Sequence, residues 1–196
     1  NQGMIDRVAM MEGYTPLVLQ RVYAPYGTAD QTYDLLNVKY KTVTDEQTRK
    51  LTFANHPPYL PRAFFLYNVR VAKSEEDLAV YLKSPEFNHR TTVVLEKEPG
   101  RTFTSPTTTP VWKARITGYE NNWIRLDAKT SHDGMLVLSE IHYPGWKAFV
   151  DGVETEIFRA DYNLRSIIVP VGTHKVEFRF EPGSFRLGSM ITLASL

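Results

Sequence analysis

"HKVEFRFEP", residues 174–182, is the stretch on which the fold turns. Val176, Phe178 and Phe180 alternate with Lys175, Glu177, Arg179 and Glu181. In an extended chain successive side chains point to opposite faces, so the apolar set belongs to a core and the charged set to solvent. Such a strand needs partners, and the preceding residues supply them. Short β-type runs occupy 111–120, 123–129, 135–142, 146–150, 155–159 and 165–169. Asn121-Asn122, Asp133-Gly134, Pro144-Gly145, Asp151-Gly152 and Pro182-Gly183 punctuate them. Turn formers at intervals of about ten residues between alternating runs predict an antiparallel β-sandwich, jelly-roll-like, over residues 111–186.

The residues before it read differently. "YTPLVLQRVYA" (14–24) has helix-compatible apolar spacing after Pro16, a residue tolerated at a helix start. Asp30 is placed to cap a short helix through Leu36, Asn37 breaks it, and 38–43 alternates like a strand. Three prolines in "HPPYLPRAFFLYNVRVAKS" (56–74) disfavour a central strand at 57–61, after which 63–71 reads as one strand. Ser74 fits an N-cap, with Asp77 at the capping-box position, for a helix carrying Leu78, Val80, Tyr81 and Leu82. A short strand follows at 93–96. The organisation expected is an α+β region over 1–100, a Thr/Ser/Pro-rich linker at 101–110 ("RTFTSPTTTP"), the sandwich, and a terminal segment at 187–196. The fold class is mainly β.

Composition excludes several functions. Of 196 residues 42% are hydrophobic and 23% charged, which supports a sizeable core. With 23 basic against 22 acidic residues the net charge is +1, which leaves no electrostatic footprint for nucleic acid. The absence of cysteine excludes disulfide frameworks and thiolate zinc sites. The five histidines form neither HxH nor HExxH, and no Gly-rich phosphate loop or GxSxG elbow is present, so no metal or cofactor is expected. The chain begins without Met and with no signal-peptide pattern, as an excised or processed piece would. "LGSMITLASL" (187–196) carries no charge but is half the ~20 apolar residues that a membrane-spanning helix needs.

"HYPGWKAFVDG" (142–152) gathers aromatics and turn formers rather than acids and bases. Asp151-Gly152 suits a two-residue hairpin turn. Pro144-Gly145 suits a bend that swings Trp146 inward. Tyr143, Trp146, Tyr162 and Trp123 are candidates for a sugar platform, since aromatic faces stack on the apolar face of a pyranose. Against this, aromatics in sandwiches mostly fill the inter-sheet space, which places Trp146 in the core and leaves Tyr143 exposed beside the turn. The carboxylates of Glu140, Asp151, Glu154, Glu156 and Asp161 would suit glycoside hydrolysis only as a pair across a cleft.

The block 139–192 resembles the C-terminal extracytoplasmic segment of YfhO-type bacterial membrane proteins. Tyr143-Pro144-Gly145-Trp146 followed by Asp151-Gly152 carries the likeness. So do Arg159-Ala160-Asp161 followed by Arg165, and Val171-Gly172-Thr173-His174 leading to Phe178, Phe180 and Pro182. "GYTPLVLQRV", "LLNVKYKTV" and the "LPRAFF" block extend it over nearly the whole chain. Asp161 stands where many relatives are expected to carry Asn. The resemblance implies a polytopic parent with a GT-C-like membrane core, related to glycosyltransferases that use lipid-linked sugars, in a bacterial cell membrane. The catalytic acids of that class would lie in other parts of the parent. Residues 187–196 then become the cut start of a final membrane span.

The leading expectation is a non-catalytic extracytoplasmic domain that holds a glycan or polyprenyl-linked sugar. A sugar would stack on Tyr143, Trp146 or Tyr162 and meet Arg159, Asp161 and Arg165. Two other roles are open: a structural or protein-interaction domain without a ligand, and a hydrolase built on Glu140 and Asp161.

Overall fold

The computed structural model describes residues 21, 24–57, 59–103, 105–183, 188 and 192. Two helices, α1 (Ala29–Leu35) and α2 (Glu75–Lys83), accompany thirteen strands in this part of the chain. The helix expected over 14–24 and the terminal segment from 187 lie outside it, apart from single residues. No helix among the described residues is long and apolar enough to cross a membrane.

A five-stranded antiparallel sheet forms one layer of the sandwich. Its order is β10 (Val153–Thr155), β9 (Trp146–Val150), β13 (Gly172–Phe180), β7 (Trp123–Thr130) and β6 (Trp112–Glu120). The strand read from "HKVEFRFEP" is its centre, pairing with β7 from Gly172↔Thr130 to Arg179↔Trp123 and with β9 from Val176↔Val150 to Phe180↔Trp146. The alternation holds: Val176 and Phe178 are buried, while Lys175 and Arg179 are exposed.

The second layer is a six-stranded sheet. Its order is β3 (Ala63–Leu66), β8 (Gly134–Ile141), β12 (Leu164–Val169), β11 (Phe158–Ala160), β5 (Thr92–Leu95) and β4 (Asn68–Val71). All its pairs are antiparallel except β4 with β5, which α2 joins as a crossover. Both faces of this sheet are covered. Phe65, Leu136, Leu138, Ile167 and Val169 meet Ile124, Leu126, Ala148 and Phe178 of the five-stranded sheet. Phe64, Leu66, Met135, Val137 and Leu164 form a second core with Leu35 of α1 and Leu78 and Leu82 of α2. That is why β8 is a run of buried residues instead of an alternating one.

β3 and β4 are separated only by Tyr67, yet they lie on opposite edges of this sheet. Residues two apart span ~7 Å at most, so the sheet curls until its edges meet at Tyr67. The stretch 63–71 is therefore one bent run rather than the single strand expected. Tyr67 Oη shares a 2.8 Å hydrogen bond with Thr130 Oγ1. A Cβ on Gly134 would come within 2.8 Å of the Tyr67 ring, so the close approach requires glycine there.

Strands from both sides of 101–110 share this sheet. The segment is thus a loop inside one unit, and the boundary expected there is corrected: residues 63–95 complete the sandwich. Two smaller expectations also change. Thr28, not Asp30, caps α1, through a capping box with Gln31. The run 155–159 divides between β10 and β11, in different sheets. Ser74 caps α2 as expected, accepting from Asp77 N at 3.1 Å. A separate hairpin, β1 (Tyr40–Thr44) with β2 (Leu51–Asn55), pairs with no further strand.

A chain trimmed to residues 105–183 lacks β3, β4 and β5. It should show no cooperative thermal transition and no near-ultraviolet dichroism, whereas the whole chain should melt in a single step. A cooperative melt of the fragment would show that the halves fold independently.

Candidate functional site

The cleft that draws together the most residues of "HYPGWKAFVDG" lies where the chain crosses twice between the sheets. Residues 142–145 lead from β8 to β9, and Glu156-Ile157 lead back from β10 to β11. Between them is a cleft of about 220 Å³ lined by residues 142–147 and 154–157.

Local backbone chemistry builds it. Gly145 has φ 101°, a left-handed conformation. A Cβ there would meet the Phe180 ring at 2.9 Å and Pro182 at 3.1 Å. Its carbonyl accepts from Glu181 N at 2.6 Å, which ties the crossover to the end of β13. At the far end of β9 from the cleft, Asp151 (φ 51°) and Gly152 (φ 83°) form the two-residue turn expected between β9 and β10. Asp151 is held in place by Lys175 N (2.8 Å) and by His174 Nδ1 (2.7 Å). These bonds keep its carboxyl below the usual range.

The aromatic pair divides as the residue types suggest. Tyr143 is 48% exposed. Trp146 is half-buried, its ring 5.4 Å from that of Phe180 and packed at the margin of the inter-sheet core. Trp146 is thus both a core residue and part of the cleft wall.

Behind Trp146 lies Arg165, the largest fully buried side chain among the described residues. Its guanidinium sits 4.1 Å from the Trp146 ring centroid and 5.7 Å from that of Phe178. Its Nη2 is 3.6 Å from Glu140 Oε2, and its Nε and Nη1 make no hydrogen bond. Burial pulls this group down to about 10 against the opposing pull of Glu140, so it remains a cation at neutral pH. Glu140 also accepts from Arg62 Nη1 and Tyr119 Oη, both at 2.6 Å. Burial and the neighbouring Arg159 and Arg165 charges hold His142 below its ordinary value, which keeps it neutral.

The remaining expected site residues go elsewhere. Asp161 is fully buried at the β11–β12 turn. Its backbone N donates to Val94 O and its Oδ1 accepts from Val94 N, both at 2.8 Å, so its side chain supplies a ladder rung between β11 and β5. Asp161 has no exposed surface and Arg165 only 2%, so neither is presented to a ligand from solvent. Arg159 lies 3.6 Å from Glu96, and the Tyr162 ring carries the Arg21 guanidinium at 5.0 Å. Trp123 packs under Arg125. None of these lines the cleft. Glu140 and Asp161 are no catalytic pair, one being tied to two arginines and the other sealed in the core. Among the described residues no group of three or more His, Asp or Glu is arranged to hold a metal.

Arg62 and Tyr119 were not legible as members of the cluster, because they reach Glu140 from 78 and 21 residues away. Lys147 and Thr155 were likewise missed as cleft residues. The signal for them was the adjacency of two crossovers, which a strand list without sheet assignment does not contain.

The model of the family described as bacterial membrane protein YfhO matches residues 42–192. No curated protein and no solved structure matches the chain.

Burial raises the Asp161 carboxyl from 3.8 to about 7. The native state then holds this proton where the unfolded chain releases it, so stability is full below about pH 4 and falls as the pH rises to 7. Asp161→Asn keeps the acceptor for Val94 N and tolerates the left-handed φ of 46°. The variant should lose this pH dependence, gaining on the order of 4 kcal/mol relative to the parent between pH 4 and 8 in denaturant titrations. Parallel pH profiles for both proteins would refute the assignment.

Proposed function

The chain belongs to the bacterial membrane protein YfhO family, and from that premise we propose that it is a non-catalytic extracytoplasmic module of a glycosyltransferase-like membrane protein, whose cleft beside Tyr143 and Trp146 holds a glycan or polyprenyl-linked sugar. The observation that carries this is the cleft itself. It presents one exposed and one half-buried aromatic ring beside His142, Lys147, Glu154, Thr155 and Glu156. Aromatic faces take up the C–H face of a sugar ring, and the flanking polar groups exchange hydrogen bonds with its hydroxyls. At about 220 Å³ the cleft is smaller than the ~300–1,000 Å³ of sites that enclose a drug-sized molecule, which suits one ring of a longer glycan.

The walls are held by turn chemistry and sheet pairing, so the site is formed before a ligand arrives and little ordering entropy is lost on binding. The charged side chains around it are engaged in pairs: Lys147 with Glu154 at 3.6 Å and with Glu181 at 3.7 Å, and Lys97 with Glu156. Such pairs suit holding a neutral hydroxylated ligand rather than moving protons.

Titration of labelled chain with cell-envelope oligosaccharides should shift the amides of residues 142–147 and 154–157. Tyr143→Ala should weaken binding at least fivefold and leave the melting temperature unchanged, because half of that ring is in solvent. Trp146→Ala should lower both. Shifts absent from this region for every oligosaccharide, or unchanged affinity in Tyr143→Ala, would refute the reading.

A further inference from the structure

The β1–β2 hairpin stands apart from both sheets and carries the most exposed large apolar side chains of the described residues outside the sandwich. Its register sets Tyr40 opposite Asn55, Thr42 opposite Phe53 and Thr44 opposite Leu51. Side chains directly opposite share a face, so Tyr40, Phe53 and Leu51 lie together with the two threonines. They are 54%, 78% and 74% exposed. Two strands alone are marginally stable in water. The hairpin is anchored at its base, where His56 N donates to Lys39 O at 2.9 Å and Asn37 Nδ2 to Leu60 O at 2.6 Å, while Lys41 meets Asp30 at 3.1 Å. An aromatic-aliphatic face of this kind, on a segment held at one end, marks an interaction surface.

We propose that this face of the hairpin docks onto the surface of an anionic lipid bilayer. Its composition is interfacial: one Tyr, one Phe and one Leu between threonines, bordered by exposed Lys39, Arg49 and Lys50. Tyr sits at the headgroup level of a bilayer with its ring below and its hydroxyl in water. Arg and Lys lay their apolar stems along the buried strip and keep their charges at the lipid phosphates. Of the two acids at the turn, Asp45 is folded onto its own loop, accepting from Gln47 N at 3.0 Å and Thr48 N at 2.6 Å. Lys39 Nζ lies 5.5 Å from the Tyr40 ring centroid at one end of the strip, and Arg49 and Lys50 are exposed where the turn leads into Leu51 at the other. Membership of a membrane-protein family keeps a bilayer close to the chain, so a weak contact is populated through high effective concentration. The proposal rests on that membership and is independent of the sugar cleft.

The test is co-sedimentation of the 196-residue chain with lipid vesicles. Vesicles of phosphatidylcholine with about a quarter phosphatidylglycerol should bind it at least tenfold more tightly than phosphatidylcholine alone, with affinity falling as salt rises. Leu51→Ser with Phe53→Ser should cut binding at least tenfold without moving the melting temperature. Arg49→Glu with Lys50→Glu should abolish the preference for anionic vesicles. Broadening of amides 40–53 by spin-labelled lipid supplies a readout that does not depend on any variant. Failure of the parent chain to bind would overturn the proposal, as would equal binding by the Leu51/Phe53 variant. It is equally overturned if that variant instead dissolves a concentration-dependent dimer seen by sedimentation without lipid, which would assign the face to a second copy.

Discussion

The fold depends on a single bend. Tyr67 is the one residue between two strands that occupy opposite edges of the same sheet, and its position forces the six strands to curl until the edges meet. Its ring needs the bare backbone of Gly134 beneath it, and its hydroxyl reaches Thr130 on the facing sheet. β3 and β4 remain the two unpaired ends of the sheet, brought side by side at Tyr67. The bend also brings the helices over the inner face, since Leu35, Leu78 and Leu82 share one core with β3 and β8. The sandwich and the helical layer are therefore two sides of the same curled sheet.

The cleft is a by-product of how the chain changes layers. Each crossing between sheets breaks regular pairing, and two crossings side by side leave a gap that side chains wall instead of fill. Arg165 lies at the margin between this gap and the core. Burying a guanidinium with one distant carboxylate partner costs free energy that leucine or methionine at the same place would not. What it contributes is a flat cation against the indole of Trp146, and a point where Glu140, Arg62 and Tyr119 converge.

Legibility in the sequence followed the range of the interactions. The strand pattern of residues 111–180, the Asp151-Gly152 turn and the Ser74 cap depend on neighbours a few positions away, and the residue types declared them. The cap of α1 was assigned two residues late because Asp30 and Thr28 are both competent caps, and only the bonding of Gln31 distinguishes them. The division at 101–110 misled because Thr, Ser and Pro mark any loop, whether it joins domains or strands of one sheet. Tyr143 and Trp146 line the cleft because the Pro144-Gly145 bend, a local feature, places them there. Asp161 and Arg165 were expected at a ligand and are instead buried, because polarity was taken to mean exposure where the side chains replace a missing ladder rung and stack on an aromatic ring.

The closing bend also dictates an order of events during synthesis. β3 has no strand partner until β8, some seventy residues later, has been made, and the central β13 comes later still. Contacts this distant in sequence form slowly, because the loop must close before any pairing energy is returned. The first third of the described chain must therefore wait, with apolar Phe64 and Phe65 uncovered, until nearly all of it has emerged. A segment in that state needs shelter from its surroundings, and the time between translation of residue 63 and of residue 180 is when this protein is most vulnerable to misassembly.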